Sequence, residues 1–193
     1  MSAGPHIVAI CGSLRDDSRT RIALTHALDG AQNYGASTEL LDLREFDLPI
    51  FDADHDMAGD ASKLTERVGA ADAIILGTPM YHGSYSSALK TAIDYCGFDE
   101  FDATTVGLLG VSGGSFPITA LDHLRSVCRS LNAWVIPFQA AVPDASSHIE
   151  AGELVDESIR NRVERLGERA VQFANIEPDP ASFESGENVG ATD

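Results

Sequence analysis

Ser13, Arg15, Ser18 and Thr20 stand together between an apolar run, His6 to Cys11, and a stretch of helical periodicity from about Ser18 to Tyr34. Hydroxyls and a guanidinium at a strand-to-helix junction suit one task above others, the holding of a phosphate. The opening amides of a helix have no intrahelical acceptors, and the helix dipole favours an anion there. Ser13, Ser18 and Thr20 can donate, Arg15 can add charge-assisted bonds, and Gly12 permits a tight turn. A plainer reading makes Ser18 an N-cap and the arginines of this segment surface charges. The segment lacks both G-x-G-x-x-G and a Walker A motif, so the phosphate expected is a terminal one.

Two further segments have types and spacing suited to a ligand. In Thr78 to Lys90, Pro79 and Gly83 shape a loop whose amides can face a flat ring, with Tyr81 beside it. His82 in that loop is read as a hydrogen-bonding or subunit-contact residue ahead of a proton-transfer group. In Gly110 to Ser115, the pair Gly113 and Gly114 lets backbone approach a ligand closely. This third segment also matches the G-x-S-x-G nucleophile elbow, with Asp144 and His148 following in the order of an α/β-hydrolase triad. A serine esterase using Ser112 is therefore a rival. It leaves the first two segments without a role, and the chain is short for that fold.

The elements that must position these loops alternate regularly. Apolar runs at His6–Cys11, Thr38–Leu43, Ala73–Thr78, Thr105–Val111 and Ala133–Phe138 read as strands, the last an edge strand because of Pro137. Between them lie helical stripes: Ala88, Leu89, Ala92, Ile93 and Cys96; then Ile118, Leu121, Leu124, Cys128 and Leu131; then Val155, Ile159, Val163, Leu166, Ala170 and Phe173. Strand runs without polar alternation need cover on both faces, which predicts an α/β fold: a doubly wound, five-stranded parallel sheet with helices on both sides. If it follows the flavodoxin-like strand order 2-1-3-4-5, ligands bind beyond the carboxyl ends of the first and third strands. These are the first two loops, with the third alongside.

Composition narrows the partners. Thirteen Lys and Arg against thirty Asp and Glu give a formal charge of −17, which repels nucleic acid and anionic membranes. The acid is spread along the chain and lysine occurs only at Lys63 and Lys90, a pattern like the solvated surfaces of salt-adapted proteins. Against it, Arg15, Arg19 and Arg21 form a local cluster. Cys11, Cys96 and Cys128 form no C-x-x-C or metal-ligand spacing, so they read as buried reduced thiols, and no metal site is expected. No run approaches the roughly 18 apolar residues of a membrane span. The expectation is a cytoplasmic domain over residues 1–176, followed by an acidic, disordered tail over 177–193.

At the three loops the sequence resembles the NADPH-dependent FMN reductase family, flavodoxin-like proteins that include flavin, quinone, azo-dye and chromate reductases. Gly12, Ser13, Leu14, Arg15 and Ser18 are similar to its G-S-x-R-x-x-S phosphate segment. Thr78 to Tyr85, with Ala88 to Tyr95, resembles its T-P-E-Y-N-G-S-Y segment and L-K-N-A-I-D-W helix. The resemblance implies FMN as cofactor and NADPH or NADH as donor. It implies that Ser13, Arg15, Ser18 and Thr20 hold the phosphate, that Pro79, Met80, Tyr81, His82 and Gly83 line the isoalloxazine, and that Ser112, Gly113 and Gly114 close its other edge. Met80 stands where the family frequently has Glu, and His82 where it frequently has Asn. The flavin carries the chemistry, so no catalytic side chain is nominated. Electrons pass to a small acceptor such as free flavin, a quinone, an azo compound or a metal oxyanion. The main alternative is a flavodoxin-type electron carrier, whose phosphate loop usually lacks an arginine like Arg15. The resemblance also implies a homodimer or homotetramer, with Lys90, Asp94 and Tyr95 on the contacting face.

Overall fold

A computed structural model describes residues 4–114 and 116–176. The expected tail, 177–193, lies outside the described residues. The chain runs β1 (His6–Cys11), α1 (Arg19–Asn33), β2 (Ser37–Asp42), α2 (Ala61–Gly69), β3 (Ala73–Pro79), α3 (Ser87–Tyr95), α4 (Phe98–Phe101), β4 (Thr105–Val111), α5 (Ile118–Ser130), β5 (Trp134–Val142), α6 (Ala145–His148), β6 (Ile149–Glu150), β7 (Glu153–Leu154) and α7 (Glu157–Gln172). Strands β1 to β5 form one parallel sheet in the order 2-1-3-4-5, as expected, while β6 and β7 form a separate small hairpin.

The strand pattern explains the two layers. Every residue of β3 and of β4 is buried. Along β1, Ile7, Ala9 and Cys11 pack with Leu24, Ala27, Val163 and Leu166 of α1 and α7. Val8 and Ile10 point the other way, into a core with Leu64, Leu89, Leu121 and Leu124 of α2, α3 and α5. A period of two thus sends alternate side chains into two apolar layers, each buried Leu or Ile contributing about 1.5–3 kcal/mol.

Helix α1, which starts at the first loop, is held from behind by α7. A Cβ on Gly30 would fall 2.2 Å from the Glu164 carbonyl oxygen, and one on Gly167 only 1.7 Å from that of Ala27. The two helices therefore meet backbone to backbone, as only glycine allows. The cap residues are conventional: Ser18 Oγ accepts from the Arg21 amide at 3.0 Å, and Asp156 from that of Ile159 at 3.0 Å.

Several boundaries differ from the sequence expectation, each for a local reason. The third helix begins at Ser87, within the stretch Thr78 to Lys90 read as a loop, after Tyr81 and Ser84 exchange backbone hydrogen bonds of 3.0 Å across a tight turn. Strand β5 runs on to Val142. Its register against β4 shifts between Val106, opposite Val135, and Leu108, opposite Gln139, an irregularity that accommodates Pro137 on the edge. Ile118, Val155 and Phe173, assigned to buried stripes, are exposed; Val155 and Phe173 lie just outside α7. Tyr95 is no free surface residue: its hydroxyl donates to the Pro49 carbonyl at 3.1 Å, and its ring meets Phe51 edge-on.

Candidate functional site

The three loops converge beyond the C-terminal ends of β1, β3 and β4, around a cavity of about 260 Å³. Its wall takes Ser13, Arg15, Asp17, Arg19 and Thr20 from the first loop and the first turn of α1. Pro79 ends β3 and is followed by Met80 and Tyr81, Val111 ends β4 and is followed by Ser112 and Gly113, and Ala145 comes from α6.

At the α1 end the donors are in place. The Arg19 and Thr20 amides open the helix, and no acidic residue occupies its first turn. Thr20 is only 2 % exposed and lines the cavity; since no wholly buried side-chain oxygen among the described residues lacks a partner, its unbonded hydroxyl opens onto that space. Ser13, equally buried, has its hydroxyl approached at 3.5 Å by the Arg15 amide. The guanidiniums of Arg15 and Arg19 enter no ion pair among the described residues. Arg21, by contrast, is committed to Asp42 at 3.0 Å and to the Asp16 carbonyl. Arg44 also binds Asp42, at 2.6 Å, and Asp16 at 3.2 Å. Burial alone would raise the Asp42 carboxyl, but the Arg44 and Arg21 bonds outweigh it and hold it below the ordinary carboxylate value.

Ser18 takes the plainer of its two readings at this end. It is wholly buried, caps α1 and does not line the cavity. Beneath it the Cys11 thiol is pushed up by burial, and Cys96 and Cys128, also buried, are pushed up to about 12, so none is a thiolate nucleophile.

The other end is made of backbone. The Met80 amide donates to the Val111 carbonyl at 2.7 Å, joining the second loop to β4. The Met80 sulfur turns toward α5, where the Thr119 hydroxyl lies 3.6 Å away. His82 and Gly83 form the tip of the tight turn, both in the left-handed region at φ 50° and 80°, and neither lines the cavity. A Cβ added at Gly113 or Gly114 would meet no atom within 4 Å, so this loop leaves open space against the site. Behind it, the Ala145 amide donates to the Ser112 carbonyl at 2.9 Å and that of Asp144 to Gly114 at 2.8 Å.

Two residues not singled out beforehand couple the loops. Ser86 Oγ donates to the Gly12 carbonyl at 2.6 Å, and the Ser86 amide donates to Thr78 Oγ1 at 3.0 Å. Both side chains are buried, and nothing in a single sequence marks them as a stitch between the first and second loops. Arg19, Asp17, Val111 and Ala145 were likewise missed as lining residues. Only Arg19 had a signal, its place in the arginine cluster. The hydrolase arrangement does not assemble: the Ser112 hydroxyl donates to the Gly114 carbonyl at 3.1 Å, and His148 Nδ1 pairs with Asp156 at 3.2 Å.

Residues 5–147 match the sequence model of the NADPH-dependent FMN reductase family. The chain belongs to that family. It is an FMN-dependent oxidoreductase that uses NAD(P)H, which removes the electron-carrier and esterase readings. It is 34 % identical over 178 residues to an FMN-dependent NADPH-azoreductase of Staphylococcus aureus, covering 88 % of this chain and 95 % of that one. Its fold matches that of FerB, a flavoenzyme NAD(P)H:(acceptor) oxidoreductase from Paracoccus denitrificans, with a TM-score of 0.73 at 20 % identity over 89 % of this chain and all of that one. It also matches the apo form of an NADH:FMN oxidoreductase (EMOB), with a TM-score of 0.69 at 24 % identity over 90 % and 92 % of the two chains.

The residues present fit FMN. A Thr20 hydroxyl open to the cavity, the uncommitted Arg15 guanidinium and open helix amides are the donor set of a phosphate. The loops at the other end, free of side-chain obstruction at Gly113 and Gly114, leave room for a flat ring.

Proposed function

We propose that this chain passes reducing equivalents from NAD(P)H, through FMN, to flat conjugated acceptors of the azo and quinone class. The observation that carries this is the cavity's shape: a phosphate-type donor set at one end and, at the other, a backbone-walled space whose rim bears Tyr81, half exposed. When bound, FMN supplies hydride and electron transfer. The protein supplies the rest. Ser13, Thr20, Arg15 and the Arg19 and Thr20 amides hold the phosphate end, while Ser18 serves them indirectly by fixing the first turn of α1. Pro79, Met80 and Tyr81, with Ser112 and Gly113, position the ring through main-chain groups, with His82, Gly83 and Gly114 shaping the loops behind. No side chain is required to act as nucleophile or general acid.

The acceptor class is supported by the Staphylococcus aureus relative, which is named for azo reduction. Among the described residues no helix is long and apolar enough to cross a membrane, which is consistent with a cytoplasmic site of action. A homodimer or homotetramer is supported by exposed Leu14 and Ile50, which flank an apolar groove with Leu48, Ala88 and Thr91 beside the first loop. Size-exclusion chromatography with light scattering tests that assembly, a monomeric mass refuting it.

The deciding experiment on activity adds NADPH, then NADH, anaerobically to yellow holoprotein. Bleaching near 450 nm, reversed by an azo dye or a quinone, is the expected result. A spectrum that persists with both donors overturns the proposal.

A further inference from the structure

The cavity of about 260 Å³ is no larger than a flavin requires, so the far end of a dinucleotide donor must lie elsewhere. A second cavity adjoins it, about 570 Å³, between the start of α1 and the β6–β7 hairpin. The two share Arg15, Asp17 and Arg19 in their walls and are thus neighbours across these side chains. The rest of the second wall has two characters. One side is apolar, formed by Ile22, Ile149, Ala151 and Gly152, the last two being the hairpin tip. The other side carries Arg19, with Arg21 behind it.

Charge makes this groove unusual in the molecule. The chain carries −17, yet two of the three acids beside the start of α1 are paired, Asp42 with Arg21 and Arg44 and Asp16, which lines the groove, with Arg44 at 3.2 Å, while Glu150 and Glu153 stand on the hairpin strands outside the lining. What remains is Arg15 and Arg19, both without an ion-pair partner among the described residues, against Asp17. Arg15 stands with Ser13 and Thr20 at the flavin phosphate end. Arg19, reaching both cavities, is then the cation left for a second anion. An apolar slot beside a free guanidinium is the chemistry of a phosphorylated adenosine, its base against the apolar wall and its phosphate at the fork.

We infer that the groove between α1 and the β6–β7 hairpin receives the adenosine 2′-phosphate end of NADPH, and that Arg19 is the residue by which the protein prefers NADPH to NADH. This rests on the reductase function proposed above and specifies its donor. A strongly acidic surface repels both dinucleotides, so a local cation that meets only the phosphorylated one converts general repulsion into selectivity.

Calorimetry on the FMN-loaded protein with 2′,5′-ADP and 5′-AMP tests the site without turnover. The 2′-phosphate should tighten binding by about tenfold, one charge-assisted contact, and Arg19→Gln should abolish that margin. Ala151→Asp supplies a second variant outside the flavin cavity. Ala151 already has φ 48°, a conformation Asp adopts more easily than Ala, so the fold should persist while a carboxylate enters the groove. In both variants the ratio of kcat/KM for NADPH to that for NADH should fall by about tenfold. Equal binding of the two fragments by the parent protein overturns the inference, as does an unchanged ratio in Ala151→Asp. A protein that discriminates the fragments but is bleached by neither donor refutes the reductase reading and leaves the groove standing.

Discussion

The two ends of the cavity are built by different means. The α1 end relies on side chains: the Thr20 hydroxyl, on a helix clamped from behind by α7, and the Ser13 hydroxyl and Arg15 guanidinium on the loop that leads into it. The β3–β4 end relies on main chain, with Met80 turned away toward Thr119, His82 displaced to a turn tip, and glycines facing open space. A side-chain site restricts residue identity closely, whereas a main-chain site restricts only the path of the backbone. The two departures from the family's frequent residues, Met80 and His82, both fall at the main-chain end.

Substitutions at the two ends should separate accordingly. Arg15→Gln should weaken FMN binding by about 10- to 100-fold, measured by fluorescence titration of the apoprotein. A change under twofold would break the contrast. Asp42→Asn should reach the α1 end indirectly, by releasing Arg21 and Arg44, and cost on the order of 2 kcal/mol at pH 7. Its pH dependence has a definite sign. Because the folded-state Asp42 carboxyl lies below its ordinary value of 3.8, its stabilising contribution is complete above that value and is lost as pH falls through the lower folded one. Urea melts between pH 7 and pH 2 should show this acid loss in the parent and lack that component in the variant.

Thr20→Val sharpens the comparison. With no partner for the hydroxyl, the apoprotein should be as stable as the parent or more so, while FMN binding weakens by about fivefold. Smallest of all, His82→Asn should leave FMN affinity within about twofold and raise stability by a few tenths of a kcal/mol, since Asn accepts φ 50° more readily. A large loss of flavin in that variant would show that the main-chain end uses a side chain after all.

The same division governs what could be read from the sequence. Strands β1 and β4 were legible to the residue because their apolar runs end abruptly at Gly12 and Ser112, whereas the sheet order came from assuming the flavodoxin-like pattern, since the runs alone also suit other doubly wound orders. Ser13, Arg15 and Thr20 were legible because hydroxyls and a cation at a strand-to-helix junction have a chemical meaning. The stitch through Thr78 and Ser86 was not, since it depends on two loops meeting in space. Nor was the start of α3, where the exchange of bonds between Tyr81 and Ser84 overrides a helix-compatible sequence. Ser18 was open to reading as a phosphate contact or a cap, and the structure shows its cap bond, the two roles requiring the same residue in the same place.

The backbone contact between Gly30 and Gly167 also bears on the order in which the protein matures. Synthesis delivers α1 early and α7 last of all the helices described, yet α7 is what braces α1 against the sheet. While the ribosome is still making residues 157–172, the phosphate-binding turn exists in sequence but lacks its support. Capture of the flavin therefore waits until α7 has emerged, and a nascent chain arrested before Glu157 should be colourless.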